Sequence, residues 1–188
     1  MRTETITSAQ NSKIKMLLAL GEKSRTRREN SLFVVEGRKE IGHCLDAGYK
    51  VRTLFACPEI IPECELEKIA ERCGEDCTIV KSLGDIKLRE NPLVIVLESV
   101  EKPGNLGAVL RTADAADADA VIVCDPLTDL YNPNLIRSSL GATFTRQVVA
   151  ASSGETLKWL NDNNIKIYTA QLQDSEWYYD TDMKCGTA

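Results

Sequence analysis

The chain has 188 residues, 43% of them hydrophobic and 27% charged, which is enough apolar material for a real core and too balanced a mixture for a disordered or fibrous protein. No run approaches the roughly 20 apolar residues of a membrane span, and the start MRTETITSAQ lacks the apolar centre of a signal peptide, so a cytoplasmic protein with no membrane partner is expected. The net charge of −5 alone speaks against nucleic acid, but residues 1–40 hold nine Lys/Arg against five Asp/Glu and leave 14 against 23 to the rest, which gathers the basic charge at the front.

In chain order, residues 7–21 carry a polar start at Ser8, apolar positions at Ile14, Leu17, Leu18 and Leu20 and a closing Gly21, the pattern of a short capped amphipathic helix. The charged run that follows holds the densest basic cluster, Lys23, Arg25, Arg27 and Arg28, with Arg38 and Lys39 beyond it. Taken alone, such a cluster is a solvated helix end, and it gains meaning only beside a second pointer to phosphate. A strand is expected over 31–37. A helix follows from Arg38 to Gly48, whose Ile41, Cys44 and Leu45 share one face and whose His43 sits on a helix face rather than in a site. Strands over 51–57 and 77–82, a helix over 63–73 and a short helical piece near 85–90 complete a small α/β domain spanning residues 1–90. The seven cysteines are read as free thiols. The rival is a metal clip of Cys57, Cys64, Cys73 and Cys77, whose spacings match no common zinc module, so no metal is expected.

From residue 91 the pattern changes. LVIVLES (93–99) is a continuous apolar run, as in a strand buried on both faces of a parallel sheet. A glycine-containing loop, a helix over 106–117, a buried strand AVIVCD, a helix over 134–142, a strand over 144–150, a capped helix from Ser153 and a further buried strand over 165–172 follow. Residues 91–188 therefore form a second domain, a parallel α/β sheet with ligands expected at the carboxyl ends of its strands.

The chemistry concentrates in KPGNLGAVLRTADAA. Pro103, Gly104, Asn105 and Gly107 are read as a strand-to-helix loop, with two glycines permitting close backbone approach to a ligand or a neighbouring chain. Arg111 lies one helical turn after Gly107, so its side chain returns over the face the loop creates, where it can meet an anion. Three other readings stand beside this one: an arginine snorkelling off a half-buried helix, a plain helix start with Asn105 as N-cap, and a dinucleotide-binding turn, which would need three glycines where only Gly104 and Gly107 occur.

This stretch resembles the first motif of the SpoU/TrmH group of SPOUT RNA ribose 2′-O-methyltransferases, in which a Pro-Gly-Asn-x-Gly loop leads into a helix bearing an essential arginine; the match includes Pro103, Gly104, Asn105, Gly107, Arg111, Thr112 and Ala113. NPNLIRSSLGATFTRQVV is similar to the family's Ser-x-Gly-Ala turn, here Ser139, Gly141 and Ala142, and LFVVEGRKEIGHCLDAG resembles its ribosomal-protein-like substrate-binding domain. Asp117 stands where the family usually has glycine, a position aspartate tolerates in the left-handed region. The resemblance implies an α/β protein with a small amino-terminal RNA-binding domain and a SPOUT (α/β knot) domain whose knot segment, a Gly-x-Glu-x-x-Gly stretch and a closing Ser-Leu-Asn, does not occur before Ala188.

The implied activity is methylation of a ribose 2′-hydroxyl in ribosomal or transfer RNA by S-adenosylmethionine, in a homodimer. Positioning dominates such a transfer. Guanidinium does not readily give up a proton, so Arg111 is expected to orient and electrostatically stabilise the ribose oxygen or clamp the adjacent phosphate, with Asn105 holding it in register. Pro103, Gly104, Gly107, Ser139 and Gly141 form the expected active-site loops, and Thr169, Ala170 and Gln171 are the cofactor-binding candidates. Lys23, Arg25, Arg27, Arg28, Arg38 and Lys39 are expected to grip RNA backbone, and the chain ending at Ala188 is expected to bind the cofactor weakly or not at all and to be inactive by itself, the activity belonging to a full-length parent. A non-catalytic RNA-binding module on the same scaffold is the alternative.

Overall fold

The computed structural model describes residues 6, 8–57, 60–73, 82–170, 173 and 175–188. The first helix, α1 (Ser12–Glu22), is capped three residues later than the pattern of Ser8 suggests, by Asn11, whose side chain accepts the Lys13 N–H at 2.8 Å. The charged run forms a second helix, α2 (Ser24–Asn30), followed by α3 (Arg38–Asp46) and α4 (Glu63–Arg72). Segments 31–37 and 51–57, strands by their sequence pattern, join no ladder among the described residues, and 74–81, most of the third expected strand, lies outside them. The helical piece expected near 85–90 is a single 3-10 turn at Leu83–Asp85.

Strands β1 (Val94–Glu98), β2 (Ala120–Cys124) and β3 (Gln147–Ala151) make a parallel sheet in the order β1-β2-β3. Alternate residues serve two cores, as the two-residue period of a strand requires. Ile95, Leu97, Val121, Val123 and Val148 pack on α5 (Pro103–Ala115) and α6 (Pro133–Ser138), whereas Val94, Val96, Ala120, Ile122 and Cys124 meet Leu160 of α8 (Ser153–Asp162) and Ile165 on the opposite face. Of these three strands β2 alone is buried along its whole length; β1 is half-buried and ends in an exposed Glu98.

Two further expectations are corrected. The helix over 134–142 breaks at Leu140 (φ 53°) and Gly141 (φ 83°), and the short α7 (Ala142–Thr145) precedes β3. Over the described part of the expected strand, residues 165–170, no buried strand forms: Lys166 and Ile167 are exposed, and the pairing among the described residues is a bridge from Lys166 to Thr187, which in turn bridges Leu93, with a further bond from the Tyr168 N–H to the Ala188 carbonyl. Among the described residues it has the carboxyl-terminal residues on one side and lacks the two flanking strands that bury β2.

The amino-terminal helices pack directly on the sheet half. Phe33 and Tyr49 join Tyr131 and Phe144 in an aromatic cluster with ring centroids 4.8–6.2 Å apart, over buried Cys44 and Ile136. Gly141 is part of the same contact, since a Cβ there would stand 2.9 Å from His43 Cδ2 and 3.3 Å from Glu40 Cα.

Candidate active site at the junction of α5 and α6

Residues 103–107, expected as a loop, are the first turn of α5. Proline at the first helical position loses no hydrogen bond and arrives with a helical φ, which is why the helix begins there rather than after Gly107. Leu106, Gly107, Leu110 and Ala113 are buried, and Gly104, Asn105, Ala108, Arg111 and Thr112 form the exposed stripe beside them.

Gly107 lets α6 approach. A Cβ at that position would clash with Ser138 Oγ and lie 2.9 Å from its carbonyl carbon, so the close approach read from the sequence is to a neighbouring helix rather than to a ligand. At this crossing Ser138 Oγ donates to the Pro103 and Leu135 carbonyls, each at 3.1 Å, and Arg111 Nη1 donates to the Ser138 carbonyl. Arg111 therefore reaches across the α5–α6 seam toward the residue that is bonded to Pro103, and does not extend into solvent from the far side of its helix. Its guanidinium stays exposed, with donors left over for an incoming group.

Other expected site residues lie elsewhere. Ser139 is fully buried, its hydroxyl donating to the Ile136 carbonyl at 2.9 Å, so it closes α6 internally instead of lining a site. Gly141 faces α3, as described above, because its left-handed conformation turns the chain toward α7. Asn105 is exposed on the first turn of α5 and makes no side-chain hydrogen bond to Arg111 among the described residues, so the expected tie between the two is not formed. Ser138 was missed, although the signal was present: it lies three residues after Leu135 on the helix face that packs against α5, whereas Ser139 follows Ile136 on the face toward the aromatic cluster.

The basic cluster divides. Lys23, Arg25 and Arg28 are exposed, and Arg25 pairs with Glu29 at 2.6 Å on the surface of α2. Arg38 pairs with Glu65 of α4, and Lys39 is exposed beside it. Arg27 is a correction: it is 5% exposed, and its Nε donates to Asp129 at 2.8 Å while Nη1 donates to the Leu20 and Gly21 carbonyls at 2.6 and 3.2 Å, so little of it remains for an RNA phosphate.

At the carboxyl ends of the strands Ser99 (φ 51°) and Asp125 (φ 45°) turn the chain in left-handed conformations. The Asp125 carboxylate accepts the Ser153 N–H and hydroxyl at 3.0 and 2.7 Å, which hold it below the usual carboxylate range. Of the cofactor candidates, Thr169 and Ala170 follow Tyr168, whose N–H bonds the Ala188 carbonyl at 2.8 Å; both are exposed, and Gln171 lies outside the described residues.

At the opposite, amino edge of the sheet, Arg89 and Arg146 bind Asp114, Asp117 and Asp119, and Asp117 takes the left-handed conformation (φ 54°) expected of it. This network ties together the entries to all three strands, and its Asp114 lies three residues, about one helical turn, after Arg111 in α5. Among the described residues no group of three potential metal ligands occurs; Cys57, Cys64 and Cys73 are not in disulfides, and Cys77 lies outside. Burial pushes the Cys44 thiol up to about 12. No helix among the described residues is long and apolar enough to cross a membrane.

The sequence profile of the SpoU rRNA Methylase family matches residues 92–188, and that of the MRM3-like substrate binding domain matches residues 11–95. The 23S rRNA (guanosine(2553)-2'-O)-methyltransferase of Bacillus subtilis is 27% identical over 92% of this chain and 75% of its own length. The 23S rRNA (uridine(2479)-2'-O)-methyltransferase of Streptomyces viridochromogenes is 29% identical over 75% of this chain and 58% of its own. Among solved structures, the AdoMet-bound rRNA methyltransferase of Sinorhizobium meliloti superposes with a TM-score of 0.78 at 26% identity, covering 97% of this chain and 78% of that one.

Proposed function

Because the chain belongs to the SpoU rRNA Methylase family, we propose that it serves the S-adenosylmethionine-dependent methylation of a ribose 2′-hydroxyl in ribosomal RNA, with Arg111 at the reacting sugar. The observation that carries the reading is the seam between α5 and α6, where Arg111 is anchored by one donor to the Ser138 carbonyl and keeps the rest of its guanidinium exposed. A charge anchored on one side and open on the other is pre-positioned at no cost during the reaction. When bound, S-adenosylmethionine would supply the ribose oxygen with a methyl carbon from its sulfonium, the C–S bond breaking to leave a neutral thioether and the hydroxyl proton passing to solvent. Arg111 orients that oxygen and stabilises its developing negative charge, or holds the phosphate beside it. Thr169 and Ala170 would line the cofactor's open side.

Ribosomal RNA is favoured over transfer RNA because the relatives described above are named for 23S rRNA positions. Lys23, Arg25, Arg28 and Lys39 supply exposed cations for its backbone. The functional unit on this reading is a cytoplasmic homodimer, for which the exposed Trp177 and Tyr179, stacked with centroids 5.6 Å apart, offer apolar surface; sedimentation at twice the chain mass checks it.

Mapping ribose methylation in RNA from cells with and without the gene tests the activity. One ribosomal 2′-O-methyl group should vanish with the gene, return with the wild-type gene and not return with Arg111→Ala. An unchanged methylation map would leave a non-catalytic RNA-binding module as the better reading.

A further inference from the structure

We propose that Arg27 is a positioning residue that fixes Arg111 through α6, holding the basic amino-terminal helices and the reacting sugar in one register. The inference rests on the Arg111 reading above and adds the part that sets where Arg111 stands.

Arg27 is the buried charge joining the two halves of the chain. Its Nη1 binds the Leu20 and Gly21 carbonyls in the last turn of α1, two of the acceptors a helix leaves without internal partners. Its Nε binds Asp129 Oδ2 at 2.8 Å, 102 residues away in the segment that follows β2. The other carboxylate oxygen, Oδ1, accepts the Tyr131 N–H at 2.9 Å, and the Asp129 carbonyl accepts the Asn132 N–H at 2.9 Å. Asn132 is the cap of α6, its side chain accepting the Asn134 N–H at 2.9 Å. The orientation of Asp129 thus determines where α6 begins.

Six residues later, after a rise of about 9 Å, α6 ends at the Ser138 carbonyl that receives Arg111. A helix this short has no slack, so a displacement at its cap arrives undiminished at its end. Tyr131 is held a second time by the amino-terminal segment, against Phe33 at 4.8 Å and through its hydroxyl to that of Tyr49 at 3.2 Å. Every contact from α1 to Arg111 is a hydrogen bond, a capped helix or a packed ring, and none needs RNA in order to form.

A phosphate-gripping Arg27 would govern RNA affinity, a merely structural one would govern melting, and a positioning one governs the rate at saturating RNA. The test compares Arg27→Gln, Arg27→Lys, Asp129→Asn and wild type. Expected for Arg27→Gln is a fall in kcat of about tenfold or more, with KM for RNA and the salt dependence of RNA binding within about twofold. Amide exchange should quicken over 129–139 while β2 stays protected. Arg27→Lys should recover part of the rate, since an ammonium can meet the carboxylate but not both carbonyls as well, and Asp129→Asn, which keeps the Tyr131 and Asn132 bonds, reports the same effect if Arg27→Gln folds poorly. In an Arg111→Lys background, Arg27→Gln should cause no further loss of rate, because both act on one group.

Lost RNA affinity at unchanged kcat, or a lowered melting temperature with kcat and exchange over 129–139 unchanged, would overturn the proposal. Should Arg111→Lys keep full rate, the Arg111 reading itself falls, and exchange alone then decides whether Arg27 holds α6.

Discussion

Two glycines three residues apart in α5 have opposite surroundings. A methyl group at Gly104 would meet nothing within 4 Å, whereas at Gly107 it would run into the Ser138 backbone. Gly107→Ala should therefore destabilise the fold by about 1–3 kcal/mol through overpacking, and Gly104→Ala should be neutral or slightly stabilising, as read from denaturant midpoints. Gly107→Ala must also separate Ser138 from Pro103, so methyl transfer should fall further than stability alone accounts for. Asp119 makes a different prediction. Its side chain is 3% exposed, and burial opposes its ionisation, but the Arg89 guanidinium and the Leu93 and Arg89 N–H groups outweigh burial and hold its carboxyl below the usual range. Thr145 and Arg146 do the same for Asp114 against a smaller opposition from burial. A depressed folded pKa means that the stabilisation is fully present above the unfolded value, near 4, fades as the pH falls below about 5 and is gone beneath the folded value. Asp119→Asn should cost about 2 kcal/mol at pH 7 and should flatten the loss of stability between about pH 5 and 3, measured by urea titration across that range.

At the scale of elements, β2 and the bodies of α5 and α8 were legible from an unbroken apolar run and from helical spacing of apolar residues. The starts of the two helices were not: the Pro-Gly entry of α5 was read as a loop, and the cap of α8 is Ser152, whose hydroxyl meets the Glu155 carboxylate at 2.6 Å, one residue before the expected start. Segments 31–37 and 51–57 were misjudged for the converse reason. A run of β-branched and aromatic residues specifies extended backbone, but a strand needs a partner, and pairing is decided by distant residues. The placement of Arg111 on the helix beside Gly107 was legible because their spacing lies within one helix, whereas the burial of Arg27 depends on Asp129, which no local pattern announces. Helix α2 and its cap illustrate the consequence, for their four closely spaced cations serve two purposes. Lys23, Arg25 and Arg28 face solvent while Arg27 faces inward. Charge reversal at the three exposed positions should weaken RNA binding and lower the slope of log affinity against log salt by about 0.7–0.9 for each phosphate that is no longer neutralised, without changing the melting temperature by more than about 2 °C. The Arg25–Glu29 pair does not alter this expectation, since an exposed i, i+4 pair contributes about 0.3–0.5 kcal/mol at most. An unchanged salt slope would remove α2 from the RNA-binding surface.

At the scale of the whole molecule, the question is whether residues 11–95 and 92–188, matched by separate family profiles, unfold separately. The contacts between them argue for one transition. The shared cluster of Phe33, Tyr49, Tyr131 and Phe144 takes two rings from each side, Gly141 admits α3 at backbone distance, Arg137 pairs with Glu36, and Arg27 finds in Asp129 a partner across the seam. Separating the halves would expose those rings and strand the Arg27 charge, at a cost of several kcal/mol, a large share of the total stability of a domain this size. Both tryptophans, Trp159 and Trp177, lie in the sheet half, so their fluorescence reports that half alone, while far-ultraviolet circular dichroism also sees α1 to α4. The two signals should fall on a single urea curve with one midpoint, and Arg27→Gln should shift that midpoint and begin to split the curves as the seam weakens. Two resolved transitions in the wild-type chain would mean that the seam is too weak to transmit position from the amino-terminal helices to α6.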